Sequence, residues 1–248
     1  MKIAVIVPAA GLGTRMGRSS AERAGTSRKQ FMLLEGEPIM LHTVRKFAAS
    51  PRIHEIVVAV RSEDLDWVGD MLAREFPSGQ ARAVEGGNSR QQSVENALAA
   101  LEPDTDLVAV HDAVRPFIDL ETIHKVLDEA AETGAAIVGV VPVDTVKQVS
   151  RANGHARIRA TLPRDRLVLA QTPQVFRYGL LMQAFQAART DGFTGTDEAS
   201  LVERLDVDVN VVLGTDRNIK ITKPSDMDLA RLFFQEQAAP LGTGEIHR

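Results

Sequence analysis

The chain of 248 residues has no cysteine, which excludes disulfides, thiolate nucleophiles and cysteine-ligated metals. No apolar run approaches the length needed to span a bilayer. An excess of one charge sign is also missing. With a formal net charge of −4, the whole-protein field attracts neither nucleic acid nor an anionic membrane. Any anion site must therefore be a local cluster of Arg and Lys. The N-terminus opens directly on a strand, with neither a basic n-region nor a cleavage site. These absences predict a soluble, cytoplasmic protein with no nucleic-acid or membrane partner. A single α/β domain with one substantial core is ordinary at this length.

Ile3 to Val7 is an apolar, β-branched run of the kind buried on both faces in a parallel sheet. It breaks at Pro8 and opens into Ala9-Ala10-Gly11-Leu12-Gly13, whose small residues let backbone N–H groups approach an anion. Two better-known phosphate-binding patterns are absent. Met16 stands where the dinucleotide fingerprint needs its third glycine, and no Gly-Lys-Ser/Thr follows for a triphosphate P-loop. Instead, Arg15 lies at the loop exit and Lys29-Gln30-Phe31 follows. Two cations with glycine-rich backbone suit a triphosphate whose charge grows as a phosphate ester breaks. The plain alternative is a strand-to-loop turn with solvated basic side chains.

Beyond the loop, strand and helix patterns alternate. Pro38 suits the first position of a helix reaching Ala48. Ile53 to Val60 reads as the second strand, and Ser62 as the cap of the helix after it. A short strand near residue 84 ends in Gly86-Gly87, and Ser89-Arg90-Gln91-Gln92 is a capping box for a helix reaching about Ala100. Leu107 to Val110 is a buried strand, Glu121 to Glu132 a helix and Ala136 to Val141 a strand. Thr145 to Ser150 and His155 to Thr161 then flank Asn153-Gly154 as a polar, basic hairpin. Such a hairpin buries little by itself, so the region from about 142 to 170 is expected to project as an arm. Its exposed edges suit pairing with a partner subunit, or else it is a solvated flap. Gly179 to Arg189, Thr196 to Leu205, Asp208 to Leu213 and a last strand over Asn218 to Thr222 resume the alternation. Ser225 with Asp228 caps the final helix, and the Gly/Pro-rich tail from Ala238 reads as disordered. The expected fold is α/β: a doubly wound, mostly parallel sheet with right-handed crossovers and a projecting β-hairpin arm, forming one domain over 1–237.

Asp112 lies just past the carboxyl end of a buried strand, the edge where ligands bind in open α/β sheets. A carboxylate there can hold Mg²⁺, or it can be an ordinary turn or cap residue. Arg115 is either its ion-pair partner or a phosphate ligand. Gly86-Gly87-Asn88 places a tight turn at a helix N-terminus with Ser93 one turn in, an arrangement suited to base recognition as well as to plain capping. Thr194-Gly195-Thr196-Asp197-Glu198 reads as an N-cap whose acids favour the helix dipole. Lys220 sits inside a β-branched run, where it either points outward or meets an anion. No histidines have metal-ligand spacing.

Seven motifs in order resemble the 2-C-methyl-D-erythritol 4-phosphate cytidylyltransferase family over residues 2–230. Pro8-Ala9-Ala10-Gly11-x-Gly13-x-x-Met16 with Lys29-Gln30 resembles its CTP loop, and Val110-His111-Asp112-Ala113-x-Arg115-Pro116 its signature. Gly86-Gly87-x-x-Arg90-x-x-Ser93-Val94, Asp144-Thr145-x-Lys147, Gln171-Thr172-Pro173-Gln174, Thr196-Asp197-Glu198 and Asn218-Ile219-Lys220 complete the set. The resemblance implies that Arg15 and Lys29 bind the triphosphate and stabilise the transition state. It implies that Pro8, Ala9, Ala10, Gly11, Gly13, Gly87, Asn88, Ser93 and Ala113 hold the nucleotide. Asp112 would organise Mg²⁺ and the acceptor. Arg115, Thr145, Arg164, Thr172, Thr196 and Lys220 would meet the acceptor phosphate, with Arg164 and Lys220 also catalytic. Thr145 and Arg164 would come from the other subunit of a homodimer joined through the arm. Three departures stand out. Gly17 to Arg28 is long and reads as a flap, with Ser27-Arg28 in place of the family's usual proline-containing approach. Asn88 and Ser89 stand where acids are common, and Val114 replaces an alanine.

The nearest alternative is a cytidylyltransferase for another polyol phosphate such as ribitol 5-phosphate, which would share the CTP half. A sugar-1-phosphate nucleotidyltransferase lacks the later motifs, and a non-catalytic nucleotide sensor needs neither Asp112 nor the catalytic cations.

Overall fold

A computed structural model describes residues 1–11, 28–152 and 154–238. The readings made on Gly13, Arg15, Met16, the flap up to Ser27, Asn153 and the tail beyond Ala238 lie outside the described residues.

The first strand, β1, spans Ile3–Pro8, and its apolar run is buried throughout, as its β-branched composition requires. After the loop come a 3₁₀ turn at Lys29–Phe31, the two-residue pair β2 (Leu33–Leu34) and β3 (Glu37–Pro38), and helix α1 (Ile39–Ala48). Pro38 pairs in β3 immediately before the helix, so Ile39 takes the first helical position. Next come β4 (Glu55–Val60), α2 (Leu65–Glu75), β5 (Ala81–Glu85), α3 (Arg90–Ala99), β6 (Leu107–Val110), α4 (Leu120–Thr133) and β7 (Ala135–Val140). The arm is β8 (Lys147–Ala152) with β9 (His155–Thr161). The chain closes with β10 (Leu169–Arg177), α5 (Tyr178–Asp191), α6 (Ala199–Val202), β11 (Asn210–Leu213) and α7 (Pro224–Ala238).

Seven strands form one sheet in the order β11-β7-β10-β6-β1-β4-β5. All its pairings are parallel except those of β10, which runs antiparallel between β6 and β7. The strand pleat sends alternate residues of β1 to opposite faces. Val5 and Val7 pack with α1, α2 and α4, whereas Ala4 and Ile6 pack with α3, α5 and α6. Helices therefore cover both faces, as the alternating pattern predicts. A third cluster, including Leu34, Ile39, Val114, Ile221 and Met227, docks α7 against β2, the start of α1 and the loop after β6. Among the described residues the arm's strands pair only with each other, and most of their residues are exposed.

Four expectations are corrected. The antiparallel β10 was not foreseen, because Pro173 argues against a central strand. The structure accommodates it at a register irregularity between Ala170 and Gln174. Asn218 to Thr222 is not a strand. Its backbone is taken up elsewhere: Asn218 O accepts from Arg115 Nη1, and Ile221 N–H donates to Val114 O. Ser62 lies inside a 3₁₀ turn, Ser62–Asp64, and gives no side-chain cap to α2. Ser225 follows Pro224 within α7, so the capping falls to Asp226, whose Oδ2 accepts from the Thr222 and Lys223 N–H groups at 2.8 and 3.0 Å.

Candidate active site

Parallel strands in one sheet deliver their carboxyl ends to one edge, and there β1, β4, β5 and β6 open a cavity of about 510 Å³. Pro8, Ala9, Ala10 and Gly11 form one part of its wall, and Gly87, Asn88 and Ser93 another. Asp112, Ala113, Lys29 and Lys220 also line it.

Close packing shapes both loops. Gln30 donates its amide Nε2 to Ala9 O (2.6 Å) and Gly11 O (2.9 Å), which pins the small-residue loop. At Gly86 an added Cβ would meet Ala10 Cβ at 2.8 Å and Val60 O at 3.2 Å, so only glycine lets the two loops approach. Ser93 Oγ accepts from Gly87 N–H at 3.0 Å and lies 2.7 Å from Ser89 O, holding the turn from within the helix. Ser89 Oγ accepts from Gln92 N–H at 3.0 Å, the first half of the expected capping box. Gln92 Oε1 answers at Asn88 N–H, 2.9 Å, one residue earlier than that motif specifies.

The charged centre is a buried cluster. Asp112 Oδ2 lies 2.7 Å from Lys220 Nζ and 3.5 Å from Arg115 Nε, while Oδ1 accepts from Arg90 Nε at 3.2 Å. Arg90 also grips Glu198 with both terminal nitrogens, at 2.7 and 3.0 Å. Burial alone would raise the Asp112 carboxyl, but Arg90 and Lys220 outweigh it and hold the group well below the usual carboxylate range. Burial likewise works against the Arg90 cation, yet Glu198 and Asp112 together raise its pKa. Burial lowers Arg115, with Asp112 opposing, and pushes up the Glu198 carboxyl against Arg90. Three cations facing two carboxylates leave one positive charge for an incoming anion.

The segment carrying Lys220 is held from two sides. Asn218 Nδ2 donates to Thr172 O at 2.9 Å, and Thr172 Oγ1 accepts from the Asp112 N–H at 3.1 Å. Thr172 and Arg115 therefore support the cluster from behind and do not line the cavity. Thr145, Thr196 and Arg164 are exposed and stand away from the cavity wall; Arg164 Nη1 donates to Val143 O at 2.7 Å within the arm.

Sequence reasoning passed over Gln30, Arg90 and Glu198 as site residues. Glu198 looked like a dipole-favouring acid, but it is buried against Arg90, and Asp197 Oδ1 accepts from the Ser200 N–H instead. The signal for Arg90 was present: an arginine opening a helix immediately after a Gly-Gly turn. His111 is also buried, its Nε2 3.1 Å from Arg115 O and its ring edge-on to Phe47; desolvation lowers its pKa from 6.5 to about 4.

Among the described residues, no cluster of three or more His, Asp or Glu could hold a metal ion. Asp112 offers a single ionised carboxylate at the cavity. That suits Mg²⁺, which uses one or two protein carboxylates and takes its other oxygens from phosphates and water. No helix among these residues is long and apolar enough to cross a membrane.

Comparison with known proteins agrees with this geometry. The family model for 2-C-methyl-D-erythritol 4-phosphate cytidylyltransferase matches residues 3–236. The protein of that name from Solibacter usitatus is 72% identical, with 96% of this chain and 98% of the relative covered. Its namesake from Acidobacterium capsulatum is 48% identical, covering 96% of this chain and all (100%) of the relative. The crystal structure of 4-diphosphocytidyl-2C-methyl-D-erythritol synthase from Anaerococcus prevotii superposes with a TM-score of 0.80 at 30% identity, covering 94% of this chain and 96% of that one. With the family model matched over residues 3–236 and 72% identity to a relative over 96% of its length, the chain belongs to the 2-C-methyl-D-erythritol 4-phosphate cytidylyltransferase family.

Proposed function

We infer that this chain transfers the cytidylyl group of CTP to 2-C-methyl-D-erythritol 4-phosphate, releasing pyrophosphate, as a step of non-mevalonate isoprenoid precursor synthesis. The observation that carries the reading is the cavity at the strand ends, where backbone loops meet Lys29, Lys220 and the Asp112 cluster.

The acceptor phosphate oxygen attacks the α-phosphorus of CTP in line; the new P–O bond forms as the bond to the β-phosphate oxygen breaks. That nucleophile is already anionic, so neither a general base nor a covalent enzyme intermediate is needed. The protein's part is orientation and charge stabilisation. The Ala9–Gly11 loop and the Gly86–Asn88 turn hold the nucleotide, Ala113 borders it, and Lys29 meets the triphosphate. Lys220, presented beside Asp112, meets the charge that develops at the reacting phosphates. Arg15 joins Lys29 in this role by the family resemblance, as Gly13 joins the loop. Asp112 would hold Mg²⁺, and the ion when bound would supply further neutralisation of phosphate charge.

The acceptor site is completed by a second copy of the chain, whose arm brings Thr145 and Arg164 to the cavity. Lys220 lines it in place, Arg115 and Thr172 act on the acceptor through the Asp112 cluster they support, and Thr196 is assigned to it by the family resemblance alone. Support comes from the arm itself: Thr145 and Arg164 stand away from their own cavity, and apolar side chains around them are uncovered. Val143 is 77% exposed, and Leu169 and Leu213, paired with successive β7 residues, are 54% and 64% exposed. Residues 1–237 act as one catalytic domain in the cytoplasm.

Lys29→Ala is expected to lower turnover on the order of 10²–10³-fold, the cost of removing one transition-state charge stabiliser. Near-normal pyrophosphate release from that variant would sink the assignment. Mixing inactive Arg164→Ala and Lys220→Ala chains tests the sharing of sites: partial recovery of activity is expected, and none would count against an arm from the partner.

A further inference from the structure

A buried ion pair adjoins Lys29. Arg28 is 9% exposed and Asp64 2%, and Arg28 Nη2 donates to Asp64 Oδ1. Trp67 Nε1 donates to the same oxygen at 3.2 Å. The guanidinium lies over the Phe31 ring, 5.2 Å from its centroid, and that ring meets Trp67 edge-on at 4.8 Å. The residues on either side of Lys29-Gln30 are therefore both fastened to the start of α2. Gln30 itself is fastened to the Ala9–Gly11 loop. Lys29 sits between these anchors and lines the cavity, whereas Arg28, Asp64 and Trp67 do not.

The arrangement is costly for a merely structural contact. Two charges taken out of water gain little net stability over a well-packed apolar pair. A planar guanidinium held on a carboxylate and stacked on a ring does fix direction, which an apolar contact of the same size does not. Asp64 also neutralises the cation next to Lys29, so Arg28 does not compete with it for phosphate.

We propose that the Arg28–Asp64 pair, braced by Trp67 and Phe31, is a positioning device that sets the Lys29 ammonium against the triphosphate. The proposal rests on the role given to Lys29 above. It makes Arg28 and Asp64 positioning residues whose loss is felt through Lys29 alone. An ångström of misplacement at a charge-stabilising group can cost about 10²-fold in rate. Arg28→Ala and Asp64→Asn are thus each expected to lower kcat about 10- to 100-fold while KM for CTP changes by less than about threefold.

The test is a double-mutant cycle on the full-length chain with Lys29→Ala, measured by pyrophosphate release, with thermal melting to confirm folding. Asp64→Asn keeps the side-chain size and decides the matter if Arg28→Ala does not fold. The expected result is a large kcat loss in each single variant and less than about a twofold further change when either is added to Lys29→Ala. Unchanged kcat in a folded Asp64→Asn variant overturns the proposal, as does an undiminished loss in the Lys29→Ala background. Near-normal turnover of Lys29→Ala alone would instead overturn the role of Lys29, so the two failures are told apart.

Discussion

Asp112→Asn removes the charge at the centre of the cluster at nearly unchanged side-chain size, and turns one accepting oxygen into a donor that faces the same cations. Arg90, Arg115 and Lys220 would then face Glu198 alone. Taking one partner from a buried ion pair costs about 3–5 kcal/mol, mostly from the cations left uncompensated. Lys220 is 38% exposed at its side chain and can turn toward water, so the lower end, about 3 kcal/mol, applies here. For a chain of this size each kcal/mol moves Tm by about 2–4 °C, giving an expected fall of about 6–12 °C near neutral pH. The assay is thermal melting followed by circular dichroism, with and without pyrophosphate. An anion bound in the cavity replaces the missing negative charge, so pyrophosphate should raise the Tm of the variant more than that of the parent chain. A shift below about 2 °C, or equal stabilisation of the two by pyrophosphate, would refute the view that Asp112 balances the three cations around it.

The pH dependence of stability should carry the mark of His111. Its pKa falls from 6.5 to about 4 on folding, so as pH drops the unfolded chain takes up the proton first, and stability is lost between those values and levels off below. The full loss is about 3 kcal/mol at 1.36 kcal/mol per pKa unit. Chemical denaturation of His111→Gln should show a flatter profile across this window, and an unchanged slope would exclude the histidine as its source. Asp112 acts in the same direction at lower pH, because its depressed folded pKa costs stability only once the unfolded carboxylate protonates. Gly86→Ala forces a methyl against Ala10 and Val60 O; a stability loss of about 1–3 kcal/mol and weaker CTP binding by calorimetry are expected. Parent-like binding in that variant would mean that the two loops need not approach so closely.

Much of the fold could be read from the sequence because it is written in local patterns. β1, β4 and β6 announce themselves as buried β-branched runs, and α4 was legible as a helix over Glu121 to Glu132, which the structure extends to its Asp119 cap and left-handed Gly134. β10 did not, because a proline inside a strand says loop until a register irregularity is there to absorb it. The missing strand at Asn218 to Thr222 failed for the opposite reason. Its β-branched pattern is real, but its backbone groups are bonded to a side chain and a loop instead of a sheet neighbour. At the site, the backbone-lined loops and Asp112 were legible from position alone. Glu198 and Arg28 were not, and Arg90, though signalled by its place after the Gly-Gly turn, gave no sign of its carboxylate partners, since an arginine and an acid far apart in sequence do not reveal that folding will bring them together.

The central claim is tested most directly by pyrophosphate release with CTP and Mg²⁺, offering 2-C-methyl-D-erythritol 4-phosphate and ribitol 5-phosphate in parallel. The account predicts strong preference for the methylerythritol phosphate, with kcat/KM at least tenfold higher, the ratio that about 1.4 kcal/mol of discrimination provides. Equal use of the two, or preference for ribitol phosphate, would keep the fold and the CTP half of the site and contradict the acceptor assigned here.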